Sequence, residues 1–131
     1  MKSGLVPGYA EEFTALITPD MAPHFDGRLA HPVYSTWWVV QHFEIAGRRI
    51  ILKFFEEHEE GLGGGINVRH RSPAMVGTVV NVRAAVTSFE RNQLWCACTA
   101  SVNGRVLAEA DFLQVVVPRT KLQSLLKRVA E

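Results

Sequence analysis

Glu44 and His70 are the side chains whose type sits least easily with their neighbours. In helical register Glu44 aligns with Val40, Gly47 and Ile51, so a carboxylate falls on a largely apolar line. A buried carboxylate is costly unless it is used or partnered. It therefore reads either as a snorkelled surface residue paired with Arg48, in the favourable Glu-to-Arg order, or as a working group. His70 lies in Ile66-Asn67-Val68-Arg69-His70-Arg71-Ser72-Pro73, an extended run ended by proline. On a strand it shares a face with Ile66 and Val68, as a satisfied core histidine or as an acid/base group. An imidazole near a carboxylate and a hydroxyl is the arrangement of general acid/base catalysis. Arg69 and Arg71 point the opposite way, either to meet a phosphate or to keep the strand soluble.

Other residues carry weaker chemistry. The stretch Gly61-Leu62-Gly63-Gly64-Gly65 is not a P-loop, because no Gly-Lys-Ser/Thr follows. Nor is it a dinucleotide fingerprint, since no helix follows it. Its glycines, Gly63 and Gly64 among them, permit close backbone approach to a neighbouring helix or to a substrate carbonyl. Trp37 and Trp38 read as core or subunit-interface anchors. Cys96 and Cys98, two apart on a strand, read as small buried hydrophobes, and no second pair completes a zinc site. His42 and His58 carry no partner pattern and read as surface residues.

These groups need elements to hold them. Val39, Val40, Phe43, Ala46, Ile50 and Phe54 recur at helical steps, which predicts a helix over residues 36–55. Ser35 or Thr36 caps its start, and the glycine stretch lies beyond its end. There it separates a helical first half from a second half of strands. Period-two alternation marks Val80 to Val86, Leu94 to Val102 and Val106 to Val117. Asn103-Gly104 joins the last two, a pair suited to the positive φ angles of a type I′ turn. A first strand is expected at residues 11–17, and an amphipathic helix at 120–130 carries Leu122, Leu125, Leu126 and Val129 on one side. One long apolar helix followed by an antiparallel meander predicts an α+β fold with the sheet curled around the helix.

Composition narrows the partners. The 131 residues suit one domain, 1–131, and 47% hydrophobic residues suffice for one core. Fourteen Lys and Arg against 13 Asp and Glu leave a net charge of +1, so neither nucleic acid nor an anionic membrane surface is indicated. The longest apolar run, Trp37 to Val40, is far short of the ~20 residues that span a bilayer. No signal-peptide pattern opens the sequence, and a cytoplasmic location is expected.

Helix, glycine stretch and strand together resemble the hot-dog thioesterases of the fluoroacetyl-CoA thioesterase type. In that family a Thr begins the central helix, a Glu follows eight residues later and a His 26 residues beyond the Glu. Thr36, Glu44 and His70 match all three with both spacings kept. A family glycine seven residues before the His falls on Gly63, whose N–H is then expected to help hold the thioester carbonyl. The similarity runs from about Tyr9 to Val117 and leaves out the C-terminal helix. Where the family places an Arg in the last strand, Leu113 and Gln114 stand here, and Trp37 and Trp38 replace smaller residues.

The resemblance implies a hot-dog domain, a long helix wrapped by a five- or six-stranded antiparallel sheet. It also implies a homodimer or dimer of dimers with the active site at the interface. The expected activity is hydrolysis of an acyl-CoA, with Thr36, Glu44 and His70 catalytic and Gly63, Gly64, Arg69 and Arg71 binding substrate. No metal or cofactor is implied beyond the coenzyme A of the substrate. Two rivals remain: a hot-dog hydratase using Asp26 and His31, which keep that class's D-x4-H spacing without its intervening Asn-Pro, and a non-catalytic acyl-CoA-binding domain.

Overall fold

The computed structural model describes residues 1–130; Glu131 lies outside the described residues. The elements run β1 (Ala10–Leu16), a 3-10 turn (Pro19–Met21), β2 (His24–Phe25), β3 (Arg28–Leu29) and α1 (Thr36–Phe54). They continue with β4 (Glu59–His70), β5 (Val79–Glu90), β6 (Gln93–Val102), β7 (Arg105–Pro118) and α2 (Arg119–Val129). Five strands form one antiparallel sheet in the order β1-β5-β6-β7-β4, with β2 and β3 a separate small hairpin. The sheet wraps α1, which is the hot-dog arrangement.

The period-two pattern fixes which face meets the helix. Val80, Val82, Ala84 and Val86 of β5, Leu94, Cys96, Cys98 and Ala100 of β6, and Ala108, Ala110 and Phe112 of β7 are all buried. Opposite them lie Val39, Phe43, Ala46, Ile50, Ile51 and Phe54 of α1. Cys96 and Cys98 are part of this core, and burial pushes both thiols up to about 12. Asn103 and Gly104 have φ of 49° and 78°, the turn their types predict. Gly47 sets the spacing between helix and sheet. A Cβ there would lie 2.8 Å from the Phe112 ring, and the buried Gln114 amide donates to the Gly47 carbonyl at 2.9 Å.

Two expectations are corrected. The glycine stretch is no boundary between halves but the interior of β4, paired with β7 from Glu59↔Pro118 to His70↔Ala108. Ladder bonds to the valine-rich end of β7 override the weak strand preference of glycine. His42 is not a surface residue: it is 4% exposed, on the core side of α1. The amphipathic helix expected at 120–130 forms as α2; among the described residues none of its side chains is buried, and it lies against β4 and β7. Among the described residues no helix is long and apolar enough to cross a membrane.

Candidate active site

The start of α1 is pinned from three sides. Val33 bridges Met75, the Tyr34 N–H donates to the Ala74 carbonyl at 2.8 Å, and the Ser35 N–H donates to the Met21 carbonyl at 2.9 Å. Ser35 is the helix cap, its hydroxyl accepting from the Trp38 N–H at 3.1 Å. Thr36 is thereby left free of capping. Its Oγ1 lies 2.9 Å from His70 Nδ1, so the first residue of α1 and the last of β4 share a hydrogen bond. The other ring nitrogen, Nε2, is buried without a hydrogen-bond partner among the described residues. Burial holds the His70 imidazole below the usual histidine range, so it is neutral at pH 7. Ile66 and Val68 share its half-buried face, while Asn67, Arg69 and Arg71 are exposed, as strand alternation requires.

Behind this pair sits a contact that sequence reasoning missed. Tyr34 is fully buried, and its hydroxyl lies 2.5 Å from His42 Nδ1. The Tyr34 ring meets the His70 ring edge-on, centroids 6.2 Å apart. Burial raises the Tyr34 hydroxyl pKa and lowers that of His42, so both are neutral and the hydrogen bond joins two uncharged groups. The eight-residue spacing of Tyr34 and His42 was the available signal, but Tyr34 lies outside the helix, so helical periodicity did not reveal the pair.

Glu44 lies elsewhere. It is exposed and lines a 390 Å³ cavity with Ile45, Arg48, Gly63 and Gln114, whereas Thr36 and His70 line another of 560 Å³. Eight helical residues separate Thr36 from Glu44, about 12 Å along the axis. Carboxylate and imidazole of one chain are not brought together. The surface pair with Arg48 is not formed either: Arg48 bonds Glu60 at 2.9 Å and reaches the Gly61 carbonyl at 3.4 Å. Gly63 has open space where a side chain would stand, and the strand bulges between Gly63 and Gly65. A Cβ on Gly64 would instead crowd Leu113 at 3.0 Å.

Arg71 pairs with Glu109 and borders a shallow cleft that also includes Thr36 and His70. Arg69 lies with Arg71, Arg83, Glu109 and Asp111 in a second depression that Thr36 and His70 do not line. Asp26 and His31 are not brought together: His31 lines the 560 Å³ cavity and Asp26 does not. Asp26 and Gly27, with φ of 52° and 76°, form the turn between β2 and β3. That geometry explains the aspartate without chemistry.

With the Thr36–His70 pair and the wrapped helix in place, the chain can be set beside known proteins. A family model described as fluoroacetyl-CoA-specific thioesterase matches residues 17–120. The chain belongs to that family. Among solved structures, a hypothetical protein of Thermus thermophilus, a thioesterase superfamily member, is 35% identical. That match covers 98% of this chain and 95% of the other, with a TM-score of 0.93. A variant of the fluoroacetyl-CoA thioesterase in complex with acetyl-CoA is 18% identical, covering 96% and 99% at a TM-score of 0.85. A hot-dog-like protein from Thermanaerovibrio acidaminovorans is 17% identical, covering 93% and 90%, also at 0.85. At such identities the last two bear on the fold alone. No curated protein matches the chain. The fluoroacetyl-CoA-specific thioesterase match spans Thr36, Glu44, Gly63 and His70, and most of α2 lies beyond it.

Proposed function

We propose that this chain is an acyl-CoA thioesterase that hydrolyses acyl-S-CoA with water to a carboxylic acid and free CoA thiol. The observation that carries this reading is His70, held by Thr36 through Nδ1 with Nε2 unpartnered. A neutral imidazole fixed at one nitrogen is prepared to pass a proton at the other. In this reading Glu44 delivers the attack on the thioester carbonyl, directly or through water. His70, neutral at the start, takes a proton from the water that is consumed and gives it to the departing CoA thiolate, a relay worth roughly 10²- to 10⁴-fold in rate. The Gly63 N–H steadies the developing oxyanion.

The reading requires a second copy. β4 is a sheet edge, and Leu62 to Gly65 are exposed along it with no charge or proline among them. Antiparallel pairing of two such edges about a two-fold axis, with Gly63 opposite His70 of the second copy, would join the two half-sites. Glu44 and Gly63 of one subunit would then face Thr36 and His70 of the other. Trp37, 78% exposed at the head of α1, adds apolar surface for an assembly to cover. A cytoplasmic homodimer or dimer of dimers, with no cofactor beyond the CoA of its substrate, follows from this reading. Thiol release from a panel of acyl-CoAs tests it. Glu44→Gln and His70→Ala should each lose at least ~10²-fold in turnover. Full activity in either variant, or enoyl hydration without thiol release, would refute it.

A further inference from the structure

We infer that the 560 Å³ cavity beside Thr36 and His70 is an acyl pocket for a large, uncharged, apolar acyl group, an arylacyl or a straight chain of about six to ten carbons. The inference rests on the thioesterase reading and names its substrate class. Ala22, Pro23, Val33 and Tyr34 form the wall, and Phe25 and Trp37 belong to the rim. Tyr34 commits its hydroxyl to His42, which leaves its ring as lining. Phe25 is 69% exposed, apolar surface that a bulky acyl group would cover.

Size and charge decide the class. At about 30 Å³ for a water-sized group, the cavity holds on the order of 18 such groups. An acetyl group would leave most of it as water against apolar walls. Each methylene moved from water into such a site strengthens binding roughly fourfold. Among the described residues no Lys or Arg lines the cavity, whereas Asp20 does beside the imidazoles of His24, His31 and His70, so an acyl chain ending in a carboxylate meets no ammonium or guanidinium and one carboxylate of like charge.

The test is a matched series of acetyl-, butyryl-, hexanoyl-, octanoyl-, phenylacetyl- and glutaryl-CoA. It is read by thiol release from the intact protein and by calorimetric binding to the Glu44→Gln variant. From acetyl to hexanoyl, kcat/KM and affinity should each rise roughly 10²-fold, and glutaryl-CoA should lag hexanoyl-CoA at least ~10-fold. Phe25→Ser changes an exposed residue that the fold does not need, and should flatten the length dependence. Val33→Trp should move the optimum to shorter chains. Hydrolysis that favours acetyl-CoA, ignores length or accepts glutaryl-CoA equally would overturn the pocket and leave the thioesterase standing. Length-graded binding without thiol release from any substrate would uphold the pocket and overturn the thioesterase. Flat binding with no turnover would overturn both.

Discussion

Mixing two inactive variants tests the composite site directly. Within one chain Thr36 Oγ1 is 2.9 Å from His70, while Glu44 starts eight residues further along α1, about 12 Å up the axis and 80° around it. A glutamate side chain does not bridge that gap, so the proposed site draws Glu44 and His70 from different subunits. In a mixed dimer of Glu44→Gln with His70→Ala, one site then carries both lesions and the other carries neither. Random assortment from equal amounts makes half the dimers mixed, each with one of two sites intact. The mixture should recover about a quarter of wild-type activity although each parent retains at most ~1%. The assay is thiol release after subunits are exchanged in mild urea and reassembled, with light scattering to establish the dimer. The complementary mixture, wild type with the double variant, should fall to about a quarter instead of a half, because every mixed dimer then has two dead sites. If the variants stay as inactive together as apart, Glu44 and His70 do not act across an interface. A monomeric mass at micromolar concentration would defeat the reasoning sooner.

Further predictions concern the supports of the site. Gly47→Ala gains about 1 kcal/mol of helix propensity but drives a methyl to 2.8 Å from Phe112, at about 1–3 kcal/mol, so urea unfolding should show a net loss of about 1 kcal/mol. Gly63→Ala meets open space within the chain, so its melting temperature should hold while kcat falls. Tyr34→Phe should cost about 1–3 kcal/mol by leaving His42 Nδ1 unpaired, whereas Tyr34→Phe with His42→Leu should be milder than that single change. His42 and His70 are both held below their ordinary range, so on acidification the unfolded chain takes up protons first. Their contribution to stability is therefore whole above about pH 6.5 and is lost as pH falls through the depressed values; melting temperature measured from pH 7.5 to 5 should drop accordingly. The rate should fall over the same acidic range if neutral His70 is the working form.

Local physics was legible in the sequence wherever one element's own periodicity decided the outcome. The stripe Val39-Phe43-Ala46-Ile50-Phe54 marked the helix, and alternation through Val80–Val86 and Leu94–Val102 marked which sheet face turns inward. Asn103-Gly104 gave its hairpin for the same reason, since the turn depends on two adjacent residues. The placement of Ile66, Val68 and His70 on one face also followed from the pleat alone. What depended on a distant partner was not legible. Gly61–Gly65 has poor strand preference and joined β4 because β7 offered it a ladder. His42 looked like a surface residue until the fold buried it against Tyr34. The sequence spacing of Thr36, Glu44 and His70 marked candidates but carried no distance. Only the wrapping of β4 beside α1 joined the first to the last and left Glu44 about two helical turns away, because a strand's far end and a helix's near end meet through the sheet and not through the chain.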